Sequence, residues 1–307
     1  VPPARHAGQP LAIGRRGILA TGLAAAISGP ASAASPTARP AARPAAPWVG
    51  CAVKSQIYDL SQVDAFEHAI GRPVSVLLFF QGFAGAWNGG RIAALAARGL
   101  RPMMTVACGP DETLGDLIAG RYDPAISTLA RFARGTPMML RVMHEMNGVW
   151  TSYGRKPGEF VTAWKHVHSV WRAAGNDAPF VWTPNISGNP QKIDSDLAAY
   201  YPGDEWCDIV GLDGYRTPYF TIPFDAMFGP DIEKIQSFTK KPLIIAEVGA
   251  DPRVPGTDAW IDGMFRYLER KPAIRGLNWW ARDEYVMQPG PMSMAFADGL
   301  NRWIGPV

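Results

Sequence analysis

Pro137-Met138-Met139-Leu140-Arg141-Val142-Met143-His144-Glu145-Met146-Asn147-Gly148 begins as an apolar strand and ends in a cluster of polar side chains. A short unbroken apolar run reads as a strand covered on both faces. Charged groups are expensive inside a fold unless paired, so Arg141, His144, Glu145 and Asn147 need a reason other than packing. Pro242-Leu243-Ile244-Ile245-Ala246-Glu247-Val248-Gly249 repeats the pattern and ends a second apolar run in a second glutamate. Outward from these two, similar runs give candidate strands at Val49–Val53, Val74–Phe80, Pro102–Ala107, Met138–Met143, Phe180–Thr183, Asp208–Leu212, Leu243–Ala246 and Arg275–Trp279. Segments of helical period lie between them at Val63–Ile70, Arg91–Ala97, Pro124–Arg134, Gly158–Ala174, Ile232–Phe238 and Ala259–Glu269, and Ala295–Trp303 closes the chain. Strand and helix alternating in this way over residues 48–307 predict an α/β fold, a single-domain (β/α)8 TIM barrel. An open doubly wound sheet is the structural alternative. It usually carries a glycine-rich phosphate turn after its first strand, whereas Lys54-Ser55-Gln56-Ile57-Tyr58 follows Val53 here.

Function in such a barrel collects at the carboxyl ends of the strands, which sends Glu145 and Glu247 to one mouth. Glycoside hydrolysis wants two such carboxylates, one protonated to serve the leaving oxygen and one ionised to attack or to activate water. It calls for no metal and no cofactor. Structural readings compete: an ion pair with Arg141 for Glu145, and a solvated strand end for Glu247. The sixth strand runs into Asp213-Gly214-Tyr215, where the phenol could hold a neighbouring carboxylate ionised and oriented. Trp150, and Trp279 with Trp280 at the eighth strand, offer flat faces for a sugar ring or else pack the core. Other chemistries lack their signatures. Gly148 stands where a His-Glu-x-x-His zinc motif would need its second histidine, and no Gly-x-Ser-x-Gly elbow occurs. His166 and His168, two apart on a helix, do not share a face and read as surface residues. Asp111 and Glu112 follow the third strand and Asp283 and Glu284 the eighth, where they could line the mouth, but they read as solvated loop acids.

The chain of 307 residues is 47% hydrophobic and 19% charged, which excludes a disordered or coiled-coil polymer. Its formal charge of +3 comes from the beginning of the chain. Taking away residues 1–33 removes Arg5, Arg15 and Arg16 and leaves basic and acidic side chains equal in number. That balance offers no electrostatic footprint for nucleic acid. Gly14-Arg15-Arg16-Gly17, an apolar stretch to Ile27 and Ala31-Ser32-Ala33 have the layout of an export signal over residues 1–33, twin-arginine or ordinary secretory. The apolar stretch is too short to span a bilayer, so no stable membrane insertion is expected. Residues 34–47, rich in proline and alanine, read as an extended linker. The expected product is a periplasmic or secreted monomer whose partner is a polysaccharide substrate. Cys51, Cys108 and Cys207 follow no metal spacing and read as free thiols. Eleven tryptophans, all at or after Trp48, ask for a use beyond filling a core.

Several of these stretches together resemble glycoside hydrolase family 26, best known for β-mannanases. Gly120-Arg121-Tyr122-Asp123 through Pro137, Arg141 and His144-Glu145-Met146-Asn147-Gly148-x-Trp150 is similar to that family's acid/base block. Tyr201-Pro202-Gly203-Asp204, Asp208 to Tyr215 and Lys241-Pro242 to Gly249 are similar to its later blocks, in the same order. The resemblance implies a (β/α)8 barrel and a retaining mechanism, with Glu145 as acid/base and Glu247 as nucleophile. It further implies that Arg141, His144, Asn147, Asp213 and Tyr215 shape the site, with Trp150, Trp279 and Trp280 as sugar contacts. The chain departs from the family's pattern at Val149-Trp150-Thr151-Ser152-Tyr153 and at Cys108-Gly109-Pro110, positions expected to touch substrate. The family's β-mannan, mixed-linkage β-glucan and β-1,3-xylan, or an exopolysaccharide of the host, are the candidate substrates. A non-catalytic barrel that binds polysaccharide and an envelope-assembly protein tethered by the linker are the alternatives from other classes.

Overall fold

The computed structural model describes residues 47–85, 88–109, 111–190 and 193–306. The expected export signal and all of the expected linker except Pro47 lie outside the described residues. From Trp48 the chain forms a closed barrel of parallel strands, each paired with its neighbours in sequence. These are β1 (Trp48–Val53), β2 (Val76–Gly82), β3 (Arg101–Ala107), β4 (Met139–Val142), β5 (Phe180–Trp182), β6 (Ile209–Arg216), β7 (Leu243–Ala250) and β8 (Ile274–Ala281), and β8 pairs back onto β1. The helices outside are α1 (Ser61–Ile70), α2 (Gly89–Ala97), α3 (Leu114–Ile118), α4 (Asp123–Phe132), α5 (Pro157–Ala173), α6 (Phe224–Phe238), α7 (Thr257–Glu269) and α8 (Pro291–Ile304). The chain is a (β/α)8 barrel, as the alternation of short apolar runs and helical periods requires. Among the described residues no helix is long and apolar enough to cross a membrane.

Two apolar clusters hold it together. A small one fills the barrel with Ala52, Val76, Leu78, Met103, Met139, Val181, Ile244 and Ala246. The larger one lies between strands and helices and takes Trp164, Trp171, Trp182 and Trp279, all fully buried. Each such side chain contributes roughly 1.5–3 kcal/mol on burial, so these four tryptophans serve packing. Helix α6 starts eight residues before the helical stretch read from sequence, because Pro230 sits inside it and a proline there reads as a stop. Cys51, Cys108 and Cys207 are free thiols. His168 is half-buried against the rings of Phe180 and Trp206, 4.8 and 5.2 Å away, and His166 pairs with Asp123 at 2.7 Å. Both histidines join helix α5 to its neighbours instead of standing on the surface.

Strict alternation along β7 fails at the position that matters. Ile244 and Ala246 face the barrel interior, so the next residue should face the helices. The β6–β7 register instead shifts between Leu212 and Asp213, pairing Leu212 with Ile245 and Asp213 with Glu247. This bulge puts one extra residue on β7 and turns Glu247 inward, the local re-aiming that bulges give. The Asn278 amide of β8 donates to the Ala246 carbonyl at the bulge (3.2 Å).

Candidate active site

Glu247 is 3% exposed and meets two partners on neighbouring strands. The Arg141 Nη2 of β4 donates to its Oε1, and the Tyr215 hydroxyl of β6 donates to its Oε2. Arg141 also reaches Asp213 Oδ1 through Nη1 at 3.5 Å, and both of these side chains are fully buried. Burial opposes the arginine's charge, but Asp213, Glu247 and Glu145 outweigh it and hold the guanidinium above its ordinary range. Burial also pushes the Asp213 carboxyl well up, against the pull of Arg141. The Tyr215 hydroxyl is raised by burial and by the charge of Glu247, so it stays protonated and donates.

Glu145 lives in a different setting. The chain leaves β4 through Met143 and Glu145 at φ 44° and 54°, left-handed conformations that non-glycine residues rarely adopt and that collect at functional sites. The Glu145 amide donates to the Thr183 carbonyl (2.8 Å), tying this turn to the end of β5. Asn185 Nδ2 donates to its Oε1 at 2.6 Å and Trp150 Nε1 to its Oε2 at 2.5 Å. Burial and the charge of Glu247 push its carboxyl up from 4.5 to about 7, against the hydrogen bonds from Asn185 and Trp150 and the charge of Arg141. The Trp150 indole lies over Gly148, where any Cβ would stand 2.5 Å from the ring; glycine is required there. His144 packs edge-on to Phe80, with ring centroids 5.3 Å apart. Burial and Arg141 hold its imidazole neutral, well below the usual histidine range.

One carboxylate oxygen each from Glu145, Asp213 and Glu247 lie within 4.8 Å of one another. Three carboxyls this close could hold a metal ion, but the cation that Glu247 and Asp213 need is already supplied by Arg141. The arrangement puts a carboxyl titrating near neutrality across from one clamped by an arginine and a phenol. Such a pair can give a proton and form a bond at one carbon.

The barrel gathers Arg141, His144, Glu145, Trp150, Asp213, Tyr215, Glu247 and Trp280 at one end. Trp280 borders Phe80 and Tyr215, with centroids 5.7 and 6.1 Å away. Of the three tryptophans expected to contact sugar, Trp279 does not reach the mouth. Trp279 is on the outer face of β8, fully buried against Phe296, and spends its N–H on the Tyr285 carbonyl (3.0 Å). Neighbouring residues on a strand face opposite ways, so Trp279 and Trp280 cannot both line the site. Asn147 is fully buried and bridges to Asn185, giving to its carbonyl at 2.8 Å and accepting from its N–H at 2.9 Å. It fixes Asn185 in place. Asp213 lies beneath Arg141 and acts through it. Asn185 itself is absent from the sequence reading; its only signal is its place just past the fifth strand, in Thr183-Pro184-Asn185.

Fold and site define a (β/α)8 protein of the paired-carboxylate class. The family model of Glycosyl hydrolase family 26 matches residues 116–249, a span that includes Glu145, Asp213, Tyr215 and Glu247. Over that span, which is less than half of the chain, it is similar to that family. It is 25% identical over 231 residues to Endoglucanase H of Acetivibrio thermocellus, covering 70% of this chain and 25% of that protein. It is 30% identical over 137 residues to a mannan endo-1,4-beta-mannosidase of Bacillus subtilis, covering 41% of this chain and 34% of that one. The match thus spans about a quarter to a third of the length of these curated relatives. The catalytic domain of an endo-beta-1,4-mannanase from Bacillus sp. JAMB-750 shares the fold, with a TM-score of 0.63 at 15% identity over 84% of this chain and 86% of that one.

Proposed function

We propose that the protein is an exported, monomeric, retaining endo-β-glycanase of a neutral β-linked polysaccharide, with β-1,4-mannan as the leading substrate. The observation that carries this reading is the approach of Glu145 and Glu247 to within 4.8 Å, oxygen to oxygen. Retaining enzymes hold their two carboxyls about 5–5.5 Å apart, and inverting ones leave about 6.5–9.5 Å for a water. Glu247 attacks the anomeric carbon as the bond to the leaving oxygen breaks, and the proton of Glu145 goes to that oxygen. Water then attacks the glycosyl ester, its proton returns to Glu145, and Glu247 leaves as the carboxylate. The Arg141 and Tyr215 hydrogen bonds suit a Glu247 that must be ionised, and burial suits a Glu145 that must start protonated. Trp150 and Trp280 border the reacting sugar.

The name of the Bacillus subtilis relative favours mannan; the name of the Acetivibrio thermocellus relative favours a β-glucan as the second substrate. The paired arginines and the apolar stretch that follows them support export. Product release from galactomannan, mixed-linkage glucan, xylans and host exopolysaccharide, with Glu145→Ala and Glu247→Ala alongside, tests the reading. Cleavage of one polymer that both substitutions abolish is the expected result. Binding without cleavage of any polymer would replace it by a non-catalytic binding barrel. Fractionation of expressing cells tests export, and light scattering on the eluted protein tests the monomer.

A further inference from the structure

The turn that carries Glu145 is strained, and its surroundings must hold it. Met143 and Glu145 both sit in the left-handed region, a conformation that persists only where the rest of the structure over-determines it. Their amides are tied to the neighbouring strands: the Met143 N–H donates to the Val106 carbonyl of β3 (2.7 Å), and the Glu145 N–H to the Thr183 carbonyl just past β5 (2.8 Å). The other end of the His144–Glu145 peptide plane is held by a side chain. The Tyr153 hydroxyl donates to the His144 carbonyl at 2.8 Å, and this tyrosine is 1% exposed. Burial, with the charge of Glu145 added, keeps the phenol protonated and therefore a donor. The loop that delivers it is closed on itself. The Gly148 N–H donates to the Glu145 carbonyl (3.0 Å), the Gly154 N–H to the Thr151 carbonyl (3.1 Å) and the Arg155 N–H to the Met146 carbonyl (2.8 Å), and a Cβ on Gly154 would collide with the Gly148 carbonyl. Ser152 Oγ donates to the Glu112 carbonyl beyond β3 at 3.2 Å. One loop thus grips Glu145 twice, Trp150 at the carboxyl and Tyr153 at the backbone. Tyr153 also ends the stretch Val149-Trp150-Thr151-Ser152-Tyr153, in which the chain departs from the family's pattern.

We infer that Tyr153 is a positioning residue for Glu145: its hydroxyl fixes the tilt of the His144–Glu145 peptide plane, and through it the point from which the Glu145 carboxyl reaches the leaving oxygen. Phenylalanine would pack the same space, so the hydroxyl is the part that acts on the turn. It acts through the backbone and not on the sugar. Without it the plane is pinned at the N–H end alone, and a misplacement of about 1 Å at a reacting group can cost about 10²-fold in rate. The catalytic consequence rests on the glycanase reading; the placement of Glu145 does not.

The test is Tyr153→Phe in the full chain, which keeps the packed ring and removes one oxygen. On the polymer that the parent cleaves, galactomannan or mixed-linkage glucan, kcat should fall on the order of tenfold to a hundredfold with KM unmoved. On the 2,4-dinitrophenyl β-glycoside of the matching disaccharide, mannobiose or cellobiose, kcat/KM should stay within about twofold, because that leaving group departs without a proton. A general loosening of the barrel would lower both alike. A second readout needs no substrate. The Trp150 indole N–H donates to Glu145 Oε2, so its NMR resonance, identified by its loss in Trp150→Phe, reports where that carboxyl stands. Tyr153→Phe should move it upfield, toward the position of a water-exposed indole. A polymer rate unchanged by Tyr153→Phe, an equal loss on polymer and aryl glycoside, or an unmoved Trp150 resonance overturns the inference. A parent that cleaves neither polymer, with a Trp150 resonance that Tyr153→Phe displaces, keeps the placement of Glu145 and sinks the glycanase reading.

Discussion

Glu145 and Glu247 are the same residue at the ends of two strands of one barrel, and they sit in opposite surroundings. The β7 side is built around a fixed charge: an arginine and a phenol donate to Glu247 from β4 and β6, and Asp213 braces the arginine from below. The β4 side is built around a proton: among the described residues Glu145 has no cation in direct contact, an indole and an amide donate to it, and burial lifts it to about 7. Two identical side chains can therefore do two jobs, and the division is made by their neighbours.

The largest effect should come from breaking the β7 side. Glu247→Ala removes the group proposed to form the covalent bond and should lower turnover of every substrate by about 10⁴-fold or more. Glu145→Ala should cost less, about 10²–10⁴-fold on a polymer, and far less on an aryl glycoside whose leaving group departs without a proton. Azide separates the two roles outright. Added to Glu145→Ala it should give a glycosyl azide of retained configuration, and added to Glu247→Ala one of inverted configuration. The same azide product from both variants would mean that the roles are misassigned.

A smaller effect should appear in stability. The folded protein holds the Glu145 proton up to about 7, against 4.5 for a freely solvated glutamate. Between these values it binds more protons than the unfolded chain, so stability falls as pH rises through that window and stays lower above it. Glu145→Gln removes this loss. Its Tm should exceed that of the parent at pH 8, by an amount on the order of 1–3 kcal/mol in stability, and the difference should shrink at pH 4. A gain that is the same at both pH values would show that packing, not the buried charge, is responsible.

The contrast between the two sides was only half legible in the sequence. The strand ends put Glu145, Glu247 and Tyr215 at one mouth, because a barrel sends every strand's carboxyl end to the same face and apolar runs mark where strands stop. Facing was not legible. Glu247 turns inward only through a bulge on β7, and no side-chain pattern announces an extra residue. Trp279 and Trp280 looked equivalent, although one of two adjacent strand residues must face the helices. Asn147 looked like a site residue because it is polar and near Glu145, but its amide serves the backbone of Asn185. Asn185 was missed because it follows the three-residue strand β5 with no charge to mark it.

The smallest expected effect is the most specific to the β4 side. The Trp150 N–H donates to Glu145 Oε2 and so favours the ionised form, working against the burial that raises this carboxyl. Trp150→Phe keeps an aromatic ring over Gly148 and deletes that one donor. A hydrogen bond of about 0.5–1.5 kcal/mol corresponds to roughly 0.4–1 pH unit, and the sign is upward, since losing a donor to the carboxylate makes the proton harder to remove. The alkaline limb of kcat/KM, set by a group that must be protonated, should therefore move from about 7 to higher pH, while the acid limb stays where it is. A limb that moves down, or an acid limb that moves with it, would mean that Trp150 acts on the sugar or on Glu247 and not on the proton of Glu145.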